Sequence, residues 1–178
     1  GLEFTDVTFE SNLQFQRECM GINIADYDCD GLLDIYMLYQ SPAVRPQGAN
    51  VPEQWVNETN TGYENQLWKN IGNGKFKNVT KVANAGGGKR HTHAANWFFY
   101  DDDAFPDLYI ANDFGKNVLL RNKGDGTFED ISAESQAEGY STSMGVSTGD
   151  LNNDGKTEIY VANMYSKMGR RIIGQVSD

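Results

Sequence analysis

Four carboxylates stand at alternate positions of one short stretch, Asp26-Tyr27-Asp28-Cys29-Asp30-Gly31-Leu32-Leu33-Asp34. Counting from Asp26, they occupy positions 1, 3, 5 and 9, with Gly31 at the bend. Alternate residues of a tight turn project to one side, so Asp26, Asp28 and Asp30 converge and Asp34 closes the group. Hard oxygen donors in flexible geometry are what calcium takes, in sets of about six to eight, with a backbone carbonyl at position 7, here that of Leu32. Magnesium requires a stricter octahedron.

The stretch recurs. Asp150, Asn152, Asp154 and Glu158 repeat positions 1, 3, 5 and 9, with Lys156 supplying the carbonyl place and Gly155 the bend. A third copy, aligned on its last acid, keeps Asp101, Asp103 and Asp107. In it Phe99 replaces the first ligand and Ala104 the glycine, making it a degenerate site. Two calcium ions and a degraded third place are the expectation. An EF-hand is disfavoured, because that loop needs a Glu at position 12 and flanking helices. Four carboxylates within a few ångströms repel unless a cation joins them, so calcium here is expected to hold the fold together.

A second constellation is His91-Thr92-His93. In an extended strand residues two apart face one side, so both imidazoles are expected to project together, near the edge of a sheet. That arrangement leaves open a zinc site or a general acid–base pair. Trp55 and Trp68, read as exposed aromatics, would then serve to stack on sugar rings. The sequence holds no complete catalytic constellation, so a non-enzymatic module is the primary reading and a carbohydrate-active enzyme using His91 and His93 the alternative.

These residues need strands to carry them. Nineteen glycines, nine tyrosines and nine phenylalanines in 178 residues match short strands broken by turns. The acidic stretches lie between apolar runs. Met20 to Gly31 aligns without a gap on Met144 to Gly155, and Ile35-Tyr36-Met37-Leu38 and Ile159-Tyr160-Val161-Ala162 follow. A second module alternates with the first: Asn65 to Thr80 corresponds to Asn117 to Ser132. Asn73-Gly74 and Asp125-Gly126 mark hairpin turns within it. Phe4 to Thr8 is the tail of the same module, so the chain is expected to start in mid-repeat.

One unit therefore reads strand, acidic loop, strand, strand, turn, strand. Apolar residues on both faces of the strand after each loop require a sheet stacked between two others. The expected fold is all-β: β-propeller blades of four antiparallel strands with calcium-binding loops, about three units in a partial propeller or open arc. Residues 1–178 form one repeat region, with unit boundaries near 1–19, 20–92, 93–143 and 144–178. An insertion at 41–62 carries three of the four prolines. About three units cannot close a ring, so further blades, a neighbouring domain or another copy are expected partners. A short amphipathic helix is expected within 166–176.

A formal net charge of −10 argues against nucleic acid. No run is long and apolar enough to span a membrane. Cys19 and Cys29 are expected to be free thiols: an extended run would separate them by roughly 20 Å, against about 4.4–6.8 Å between bridged Cα atoms.

With these two modules in register, the sequence resembles the FG-GAP or VCBS repeat family, the calcium-loop propellers that include integrin α-subunit heads. The closing residues Tyr160 to Arg171 resemble the ASPIC/UnbV-containing type. The resemblance implies seven blades in full-length members, calcium between the first two strands of some blades, and a secreted, cell-surface or periplasmic location. It carries ligand roles onto Asp26, Asp28, Asp30, Asp34, Asp150, Asn152, Asp154 and Glu158, with a protein or carbohydrate ligand unspecified. The Phe-Gly-x-Gly-Ala-Pro signature of the integrin type does not occur, so adhesive binding does not carry over.

Overall fold

The computed structural model describes residues 2–13, 19–40, 62–140 and 142–164. Residues 41–61 of the insertion, Trp55 among them, and the expected helix within 166–176 lie outside the described residues. Among the described residues there are ten strands: β1 (Cys19–Ala25), β2 (Asp34–Tyr39), β3 (Gln66–Asn70), β4 (Phe76–Asn78), β5 (Thr92–Phe98), β6 (Asp107–Asn112), β7 (Val118–Asn122), β8 (Phe128–Asp130), β9 (Ser143–Gly149) and β10 (Glu158–Asn163). They form two four-stranded antiparallel sheets, β1-β2-β3-β4 and β5-β6-β7-β8, and the pair β9-β10. The described residues are all-β, and no helix among them is long and apolar enough to cross a membrane.

Each acidic stretch joins the first strand of a sheet to the second. The two turn dipeptides join the third to the fourth, closing at the pairs Asn70–Phe76 and Asn122–Phe128. Asn73, Gly72 and Gly74 adopt positive φ there, as such turns require.

The sheets stack face to face. Tyr36, Leu38 and Leu67 of the first sheet pack on Leu108, Ile110, Val118, Leu120 and Phe128 of the second. Trp97 sits edge-on to Tyr36 at 5.9 Å between ring centroids. On the other face of the second sheet, Phe98, Tyr109, Leu119 and Ile131 meet Val146, Ile159 and Val161. Every residue of β6 is consequently buried. Strand β2, with five of its six residues buried, follows the same rule because Met37, Tyr39 and Trp68 form a further cluster on the opposite face. Ile22 and Ile24 on that face remain half-exposed.

A buried polar chain crosses the stack. Asn65 Nδ2 donates to Thr92 Oγ1 at 2.9 Å, and that hydroxyl donates to Asn112 Oδ1 at 2.9 Å. One sheet later the Ser143 hydroxyl takes the corresponding place, 3.1 Å from both Asn117 Oδ1 and Asn163 Oδ1. Buried polar groups without partners are costly, so this ladder fixes how successive sheets register.

Candidate metal centre

Strands β1 and β2 bring three of the expected ligands of loop 26–34 together: carboxylate oxygens of Asp26, Asp28 and Asp34 lie within 4.8 Å of one another. The backbone explains the convergence. Cys29 and Gly31 take φ of 57° and 85°, curling the chain so that Asp26 Oδ1 and Oδ2 accept the N–H groups of Asp30 (3.0 Å) and Gly31 (2.9 Å). Asp30 Oδ1 accepts the N–H of Leu32 at 2.9 Å.

Asp34 is buried, at 1% exposure. Its Oδ2 accepts the N–H of Tyr27 at 3.2 Å and its Oδ1 that of Asn70 at 2.7 Å, so it ties the loop to β3. Burial pushes its carboxyl up to about 6; the two backbone N–H groups oppose the shift, and the charges of Asp28 and Asp30 add to it. Asp28 Oδ1 is buried with no hydrogen-bond partner. A lone carboxylate oxygen held out of water is costly and fits a divalent cation. The donor set is entirely oxygen, as calcium prefers.

Loop 150–158 has the same backbone. Asn153 and Gly155 take φ of 61° and 86°, and Asp150 accepts the N–H groups of Asp154 (3.1 Å) and Gly155 (2.9 Å). Asp154 Oδ1 accepts the N–H of Lys156 at 2.9 Å. Glu158 Oε2 accepts the Leu151 N–H at 2.7 Å, the counterpart of Asp34 on Tyr27. Asn152 Nδ2 donates to Asp154 Oδ2 at 3.1 Å and Glu158 Oε1 at 3.2 Å, a neutral cross-link among the acids.

Loop 99–107 is built otherwise. Neither Asp102 nor Ala104 adopts positive φ, and Phe99 offers no acceptor. Asp101 accepts the Asp103 N–H at 3.2 Å, and Asp103 that of Phe105 at 2.8 Å. Asp107 keeps the role of Asp34, accepting the N–H groups of Tyr100 and Asn122, each at 2.7 Å. Phe105, at the carbonyl position, lies against Gly124, where a Cβ would meet its ring at 2.7 Å.

Four partners of these loops escaped the sequence reading. Lys69 in β3 contacts Asp28 and lies 2.9 Å from Asp30 Oδ2. Its ammonium pKa is raised, chiefly by the hydrogen bond to Asp28. Arg121, the corresponding residue of β7, binds Asp101 through Nε (2.7 Å) and Nη2 (2.6 Å). Asn70 Nδ2 donates to Leu33 O at 3.1 Å. Asn122 Nδ2 donates to Pro106 O at 3.1 Å and, across the sheets, to Tyr27 O at 2.8 Å. The available signal was the repeated Lys/Arg-Asn pair, Lys69-Asn70 and Arg121-Asn122, ahead of each turn.

His91 lies just before β5 and His93 within it. His91 is buried edge-on to Phe114, with ring centroids 5.4 Å apart. His93 falls at a bulge, since Thr92 pairs with Asn112 and Ala94 with Ala111; strict two-residue alternation is interrupted there. Trp68 is not the exposed aromatic expected. It is 6% exposed because β3 pairs it with Ile35 and packs it beside Met37 and Tyr39. Cys19 and Cys29 are free thiols. A cavity of about 740 Å³, bordered by Tyr63, Glu64, Gln66, Lys81 and Lys89, contains none of the loop acids.

A sheet opened by a nine-residue acidic loop, and closed by a module containing Gly-x-Phe, thus recurs in two successive layers. Residues 100–161 match the FG-GAP-like repeat. That FG-GAP-like segment runs from within the degenerate loop into β10, and so takes in loop 150–158. A stretch of 63 residues is 40% identical to cartilage acidic protein 1 of Xenopus tropicalis, covering 35% of this chain and 10% of that protein. The human protein of the same name is 38% identical over 58 residues, 32% of this chain and 9% of its own length. The chain therefore matches only about a tenth of the length of these curated relatives.

Proposed function

We propose that this chain is a calcium-stabilised segment of a β-propeller, of the FG-GAP/VCBS and ASPIC/UnbV-containing type, serving outside the cytoplasm as a protein- or glycan-binding scaffold. One observation carries the calcium reading: Asp26, Asp28 and Asp34 present oxygens within 4.8 Å of one another, and Asp28 holds an oxygen that is buried and unpartnered. Asp26, Asp28, Asp30, Asp34 and the Leu32 carbonyl would hold one ion, and Asp150, Asn152, Asp154, Glu158 and the Lys156 carbonyl a second. Asp101, Asp103 and Asp107 form the degraded third place. The ion would neutralise the converging carboxylates and fasten loop to sheet, a structural role. A non-enzymatic module is favoured by the burial of His91 and the bulge at His93. A secreted, cell-surface or periplasmic setting is supported by the likeness to cartilage acidic protein 1 and by the roughly 0.1–1 mM calcium affinities of extracellular modules.

Thermal melting after EDTA treatment, with and without added calcium, tests this. A ligand at about 100 times its Kd contributes about 2.7 kcal/mol, or about 5–10 °C in Tm for a chain of this size. A Tm unmoved by calcium would refute the structural-calcium reading.

A further inference from the structure

Loop 26–34 already contains a cation of its own. Lys69 reaches from β3 to Asp28 and Asp30, the acids at positions 3 and 5. One sheet later Arg121 reaches from the same place in β7 to Asp101, again the acid at position 3. The third strand thus delivers one positive charge to corresponding carboxylates in both sheets, and the two loops differ in what surrounds that charge. In the first, Asp26, Asp28 and Asp34 still cluster, and Asp28 keeps one buried oxygen unpartnered while its other oxygen meets Lys69. In the second, Phe99 has removed the position-1 acid, and Phe105 on Gly124 fills in beside the loop.

We infer that Lys69 is a resident counter-ion that competes with the divalent cation for loop 26–34 and so sets its affinity, whereas Arg121 is the permanent cation of loop 99–107. The inference rests on the calcium reading of the first loop. The chemistry of the two cations differs in the required direction. An ammonium on a four-carbon stem is a strongly hydrated point charge that swings free easily, and the Lys69 side chain is 28% exposed, giving it water to swing into. A guanidinium held through two nitrogens is pre-organised and loses more on release. Two cations cannot share Asp28 at contact distance without strong mutual repulsion, so ion entry requires Lys69 to leave.

Lys69→Gln and Lys69→Arg, each in an Asp150→Asn background that removes a ligand from the other intact loop, are titrated with calcium by calorimetry and melted in EDTA. Relative to the Lys69 parent, Lys69→Gln binds calcium at least about tenfold more tightly yet melts lower in EDTA, a crossing that a merely structural lysine would not produce. Lys69→Arg, whose guanidinium is released less readily, binds calcium at least about threefold more weakly than the parent. Arg121→Gln lowers Tm equally with and without calcium and adds no ion. Calcium bound by the parent but no tighter by Lys69→Gln overturns the inference alone. Calcium bound by neither overturns the calcium reading beneath it.

Discussion

Loops 26–34 and 99–107 open corresponding hairpins in neighbouring sheets and keep their shapes by different means. Both rest on a buried aspartate at the start of the second strand, Asp34 or Asp107, which accepts one N–H from its loop and one from the third strand. That shared part is a staple between loop and sheet. The first loop adds converging acids, positive φ at Cys29 and Gly31, and Tyr27 sunk into the core between the sheets beside Phe128. In the second, Arg121, Phe105 and an exposed Tyr100 stand in their places. The last acid of the motif thus belongs to folding in both of these copies. The first acid and the glycine decide whether a copy gathers oxygens around a point.

The widest gap between the loops is at position 2. Tyr27 is 3% exposed and Tyr100 46%. Tyr27→Ala is expected to cost about 3 kcal/mol or more by leaving a cavity, and Tyr100→Ala less than about 1 kcal/mol. Equal costs by urea denaturation would break the comparison.

Acid–base behaviour sharpens it next. In EDTA the carboxyl of Asp34, pushed up to about 6, holds its proton in the folded chain over a range where the unfolded chain, near 3.8, has released it. The stability linked to this group is therefore present below about pH 4 and lost as pH rises to about 6, at most about 3 kcal/mol. Asp107 is raised by burial in the same direction. Calcium favours the ionised form, so its addition is expected to flatten the share due to Asp34 and leave that of Asp107. Denaturation curves from pH 4 to 7 with and without calcium, on Asp34→Asn and Asp107→Asn, check this. A slope that calcium leaves untouched in the Asp107→Asn protein contradicts it.

The smallest effect compares the two intact loops. Cys29 occupies the left-handed conformation that Asn153 occupies in loop 150–158, and asparagine tolerates it better. Cys29→Asn is expected to stabilise by about 0.5 kcal/mol, read as a rise in urea midpoint, while Asn153→Cys lowers it comparably.

Much of this fold was legible because its signals are local and repeated. The spacing of Asp26, Asp28, Asp30 and Asp34, the turns at Asn73-Gly74 and Asp125-Gly126, and the apolar runs after each loop identified strands, turns and a recurring unit. The same periodicity could not be followed through His93, where one extra residue in β5 breaks the alternation. It misled at Trp68, whose burial is set by a neighbouring strand.

Loop 26–34 was determined by its own sequence as far as chemistry type: carboxylates, a bend and an oxygen donor set. Which of its oxygens share a point, which one lies buried without a partner, and that Lys69 arrives from 41 positions away were decided only when β3 packed beside the loop. Ligand type is a property of residues in sequence. Competition for those ligands is a property of distance, and pairing strands that are remote in the chain is what sets it.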